Sequence, residues 1–172
     1  MSVCFDPGAV RAGLHRRRLQ YQWGRFLETL CWSHFATFTF RDQASMARVR
    51  RDFHRAHRRL EQRVQTRVPW FWVAERGRLG ARLHLHALFG NLANLPVETI
   101  AGVWDRGNAL VVAYTPGRGA AHYVTRAIGT ELVEYDICDL RYMRRSEVQV
   151  QGEIDNRSHP PRRGDRGVVS RG

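Results

Sequence analysis

The chain contains no lysine; all 28 of its basic residues are arginine. That excludes a glycine-rich phosphate loop ending in Lys and Ser/Thr, and with it an NTPase motor of that kind. Cysteine is scarce too. Cys4, Cys31 and Cys138 are an odd number without C-x-x-C spacing, which leaves no disulfide framework and reads as reduced thiols. No apolar run approaches the roughly 20 residues that a membrane span needs, and the first residues lack the order of a signal peptide. A soluble, cytoplasmic protein with no membrane partner is expected. No internal repeat is visible.

Acidic residues are also in short supply, 16 against 28 arginines, which gives a net charge of +12 and a pI near 11.1. Arginines in such excess displace counterions from a phosphate backbone and fork onto its oxygens, so nucleic acid is the expected partner. With 172 residues, 43% of them hydrophobic, the chain is long enough for one packed domain. That domain is expected over residues 1–150. Residues 151–172, rich in Gly, Pro and Arg, are expected to form a disordered basic tail.

The organising stretch is Ala81 to Gly90, an apolar run holding His84 and His86. A strand alternates its side chains, so both imidazoles share one face while Leu83, Leu85, Ala87 and Phe89 take the other. Upstream, Trp70 to Arg76 reads as a second strand, joined to the first through Gly77-Arg78-Leu79-Gly80, whose glycines suit a hairpin turn. Closing that hairpin sets Glu75 roughly opposite His84 on the same face. One carboxylate and two imidazoles with positions left open suit Mn²⁺ or Mg²⁺ and phosphate oxygens better than a closed zinc site.

Around this hairpin, apolar periodicity predicts a helix over Leu14 to Trp32 and a strand from His34 to Phe40. A strongly amphipathic helix follows over 43–64, with Asp42 as its N-cap and His54 and His57 on its surface. Beyond the hairpin the expected elements are a short helix from Pro96 through Trp104, a strand over Ala109 to Thr115, a helix over Ala120 to Ile128 ended by Gly129, and a strand near Leu132 to Ile137. Strands and helices in this order do not alternate as in a doubly wound fold. They predict an α+β domain with an antiparallel central sheet and helices mainly on one face.

The helix after the last apolar strand carries Tyr123, with Arg126 one turn on and on the same face. A tyrosine hydroxyl beside a metal-bound phosphate is a candidate nucleophile, and the arginine a candidate phosphate clamp. Taken together, the strand Phe35 to Phe40, Glu75, His84-Leu85-His86 and Tyr123-Val124-Thr125-Arg126 resemble the ordered motifs of HUH endonucleases, the rolling-circle replication initiator (Rep) proteins of plasmids, small single-stranded DNA viruses and phages. The resemblance covers roughly residues 32–129. It implies a ferredoxin-like or RRM-like nicking domain in which Glu75, His84 and His86 hold Mn²⁺ or Mg²⁺ and a single tyrosine, Tyr123, cuts single-stranded DNA at an origin or hairpin, keeping the 5′ phosphate. A host helicase and polymerase in a prokaryotic cell would be its partners. The family's usual Lys three residues after the tyrosine is Arg126 here, and Tyr21, Tyr114, Tyr135 and Tyr142 are read as structural. Arg41, Arg76, Arg78, Arg82 and Arg118 are the arginines expected to hold the strand.

Three other readings share parts of this pattern. A single-tyrosine HUH transposase would use the same chemistry, and a water-using metallonuclease would dispense with Tyr123. A non-catalytic RRM-like module would stack bases on Phe35, Trp70 and Trp72, but it gives the Glu75, His84 and His86 cluster no purpose.

Overall fold

The computed structural model describes residues 7–76, 82–130 and 133–143. The expected turn at 77–80, including Arg78, and the expected tail at 151–172 lie outside the described residues. Helix α1 spans Pro7–Glu28, β1 Trp32–Thr39, α2 Met46–Val64, β2 Trp70–Arg76, β3 Leu83–Gly90, α3 Val97–Ala101, β4 Ala109–Ala113, α4 Ala120–Thr125 and β5 Glu134–Cys138. The five strands make one antiparallel sheet in the order β4-β1-β3-β2-β5. The run β1-α2-β2-β3-α3-β4 is thus the ferredoxin-like split unit, with β5 added on the edge of β2. This is the expected α+β class.

Strand alternation divides the sheet into two faces. Ala36, Phe38, Trp70, Trp72, Ala74, Leu83, Leu85 and Phe89 point one way and are covered by Val49, Phe53, Ala56 and Leu60 of α2 and by Ile100 of α3. These α2 residues recur every three or four positions, which puts them on one stripe. Phe71, Val73 and Leu88 point the other way, where Leu27, Ala121, Val124 and Ile128 from α1 and its partner α4 pack on them. This second face is covered only at one end. Thr37, Glu75, His84 and His86 continue it beyond the helices and line an open cleft.

Three local expectations are corrected. The N-cap of α2 is Ser45 rather than Asp42: the Ser45 hydroxyl accepts from the Arg48 N–H at 3.3 Å, and the Asp42 carboxylate pairs instead with the Arg48 guanidinium at 3.1 Å. His57 is buried, with Nε2 set 2.8 Å from the Val68 carbonyl, because its position falls on the apolar stripe. The first helix starts at Pro7 and stops at Glu28, four residues short of Trp32. Trp32 opens β1 and returns its indole N–H to the Leu27 carbonyl at 2.8 Å.

Candidate active site

The cleft is built from strand register. Glu75 on β2 stands directly opposite His84 on β3, while His86 lies between Val73 and Thr37 of its two neighbouring strands. All four polar side chains therefore project from one face. Thr37 Oγ1 lies 2.9 Å from His86 Nδ1, and His86 Nε2 lies 3.3 Å from Glu75 Oε1. The imidazole is held at both nitrogens, so its plane is fixed. Burial lowers the His86 pKa, an effect that the facing Glu75 carboxylate only partly offsets. The ring is therefore neutral near pH 7, the form in which it can ligate a metal.

Helix α4 brings the second half of the site. Tyr123 remains 40% exposed, its ring edge-on to His86 at 5.1 Å and to Phe35 at 5.9 Å. The Arg126 guanidinium lies over the Tyr123 ring, 3.8 Å from its centroid, and also pairs with Glu75. Burial pushes the Glu75 carboxyl upward, but the hydrogen bond and charge of Arg126, with help from His86, outweigh it and hold the pKa below the usual carboxylate value. Glu75 is thus an anion. The resulting cleft, about 870 Å³, is lined by Glu75, Arg76, His84, His86, Tyr123 and Arg126 among others.

Helix α1 holds α4 in place. Gln20 donates its amide N–H to the carbonyls of Arg126 at 2.7 Å and Ile128 at 3.0 Å, and Glu28 lies 3.4 Å from His122. Gly24 is what lets the helices meet, since a Cβ there would strike the His122 ring. Tyr21 stacks on the same ring. None of these contacts could be read from sequence, because each joins residues about a hundred positions apart. Thr37 was more accessible: it lies two residues along β1 from Phe35 and on the same face.

A family model for replication-associated proteins of the ORF2 type matches residues 33–131. That is more than half of the chain. The chain belongs to this family. No curated protein and no solved structure matches it significantly. In this replication-associated protein the matched segment runs from the start of β1 past α4, so it contains Glu75, His84, His86, Tyr123 and Arg126. Those five sequence-predicted residues come together in the cleft. Of the predicted DNA-contacting arginines, Arg76 lines the cleft, while exposed Arg82 and Arg41 lie at the same end of the sheet, beside His84 and beyond Thr39. Arg118 is exposed at the other end, lining a second pocket beside Tyr123. Trp70 and Trp72 are not on this face: both are buried under α2, packed on Phe53, and cannot stack bases. Phe35 remains on the open side.

The donor set fits a divalent ion in type and in face, with a carboxylate anion, a neutral imidazole whose far nitrogen is held by Thr37, and a second imidazole opposite the carboxylate. A histidine fixed through its other ring nitrogen is the usual arrangement of a metal ligand. Among the described residues, no three His, Cys, Asp or Glu side chains already converge on one point. Glu75 is engaged by Arg126 instead, and that pairing must loosen for Glu75 to serve as a ligand.

Proposed function

We propose that this protein is a single-tyrosine replication initiator of HUH type, which nicks and rejoins single-stranded DNA through a covalent 5′-phosphotyrosine. The observation that supports this most is the placement of Tyr123, half-exposed on α4, against the same cleft wall as Glu75, His84 and His86. The replication-associated family supports an initiator over a transposase.

In this reading, Arg76 and Arg82 draw the strand into the cleft by its phosphates. The hydroxyl oxygen of Tyr123 attacks phosphorus, the bond from phosphorus to the tyrosine oxygen forms, and the bond to the 3′ oxygen breaks. The phenol proton leaves to solvent, and the departing 3′ oxygen takes one up to become a hydroxyl. Arg126, already stacked on the tyrosine ring, is placed to hold a nonbridging oxygen once it parts from Glu75. Glu75, His84 and His86 would hold Mn²⁺ or Mg²⁺, which supplies Lewis-acid stabilisation of charge on the phosphate. Rejoining is the reverse attack by a 3′ hydroxyl, so no energy source is consumed.

Incubating a labelled single-stranded oligonucleotide pool with Mn²⁺ and resolving it on a denaturing gel tests this reading. Wild type is expected to cut and to retain label on the protein, and Tyr123→Phe to do neither. Undiminished cutting by Tyr123→Phe would point to hydrolysis by water.

A further inference from the structure

Tyr123 stands between two cavities, and only one of them belongs to the cluster of Glu75 and the histidines. The other, about 540 Å³, lies on the β4 side and is lined by Phe35, Val112, Tyr114, Thr115, Arg118 and Tyr123 among others. Its walls are apolar and aromatic where those of the first are charged. β4 is an edge strand, yet it shows the open face two large apolar side chains, Leu110 at 64% and Val112 at 44% exposure. Register explains their direction: Leu110 pairs with Thr37 and Val112 with Phe35, so both stand on the face that carries the site. Leu110 lines the first cavity and Val112 the second, making a continuous apolar edge past the tyrosine. Exposed apolar surface beside an aromatic ring and a reactive group marks a binding surface more often than an accident of packing.

Charge completes the pocket. Gly117 and Gly119 both adopt left-handed conformations, with φ of 74° and 82°, turning the chain between β4 and α4 so that Arg118 lies at the pocket. Arg118 is exposed and has no carboxylate within ion-pair distance among the described residues. An apolar slot with one unpaired guanidinium at its rim matches one nucleotide, with a flat base inside and a phosphate at the edge.

We infer that this pocket is a base-binding subsite for single-stranded DNA, seating the unpaired nucleobase next to the phosphate that Tyr123 attacks. The strand then runs along β1 and β4, from Arg82 and Arg76 at one end, across Tyr123, to Arg118 at the other. Phe35 and Val112 contact the base, and Arg118 contacts its phosphate. Placing the subsite next to the cleaved bond rests on the proposed function; its affinity for a base does not.

The test uses fluorescence anisotropy with a labelled oligothymidylate of about 15 nucleotides and an abasic strand of the same length and backbone, in EDTA so that no cutting occurs. Wild type is expected to bind the thymidylate about tenfold more tightly. Val112→Asn, an exposed and charge-neutral change, should remove most of that preference, while Arg118→Gln should weaken both probes alike. Equal binding of the two probes by wild type, or a preference that Val112→Asn leaves intact, would overturn the subsite. Because no cleavage is read, failure of the tyrosine adduct experiment would leave this result standing, and failure here would leave the adduct untouched.

Discussion

At the scale of single residues, the Thr37 hydroxyl does what no motif recorded: it fixes the His86 ring through Nδ1. Outer partners of this kind typically change metal affinity by about 10- to 100-fold. Thr37→Val keeps the volume and the β-branch, so the half-saturating Mn²⁺ concentration for cleavage should rise by at least about tenfold with DNA binding in EDTA unchanged. No change in the Mn²⁺ requirement would remove Thr37 from the site. His34 offers a second residue-scale prediction. Its side chain is buried with Nδ1 unpartnered, and burial holds its pKa below the ordinary imidazole value. The folded imidazole therefore resists protonation that the unfolded chain accepts. Stability is full above about pH 6.5, is lost as pH falls toward the depressed folded value, and levels off below it. Thermal unfolding of wild type and His34→Asn across that window should show a shallower acid limb in the variant; parallel limbs would assign the loss to other groups.

At the scale of elements, α1 acts as a brace for the helix that carries the tyrosine. Gln20 caps the carbonyls just beyond α4, and Gly24 admits the His122 ring beside Tyr123. Gly24→Leu should force α4 off α1 and displace Tyr123. A shift of about 1 Å can cost roughly 100-fold in rate, so adduct formation should fall far more than far-ultraviolet ellipticity. A fully active Gly24→Leu protein would show that α1 does not position the nucleophile. What was legible in sequence follows the same lines. The α2 stripe, the strand alternation and the opposition of Glu75 and His84 are local patterns, and each was readable. The burial of Trp70 and Trp72 under α2 was not, because alternation separates two faces without saying which one a helix will cover. Asp42 looked like a cap because it precedes the pattern, but Ser45 is three residues nearer the first turn, where its hydroxyl reaches the Arg48 N–H. Tyr114 was read as structural, yet it lines the pocket beside Tyr123, a role that depends on the β1–β4 register.

At the scale of the molecule, the +12 charge and the open sheet face divide the labour of binding and chemistry. The arginines at the two ends of the cleft supply attraction that any sequence can use, and the Glu75, His84, His86 and Tyr123 group acts on one phosphate. Affinity for single-stranded DNA should fall with salt at a logarithmic slope of about −0.7 for each phosphate neutralised. The double variant Arg76→Gln with Arg82→Gln should reduce that slope by about one to one and a half. His86→Ala should abolish cutting and leave the slope as it was; equal loss of binding and cutting in His86→Ala would contradict the division.

Locating the covalent bond decides whether Tyr123 is the nucleophile. After reaction with single-stranded DNA, nuclease trimming and trypsin digestion, cleavage following Arg118 and Arg126 releases Gly119 to Arg126, a peptide whose only tyrosine is Tyr123. This peptide is expected to gain the mass of a nucleotide joined through its 5′ phosphate, with fragmentation assigning the gain to the tyrosine. A cut strand with the peptide unmodified, or the added mass on any other residue, would contradict a Tyr123 transesterase.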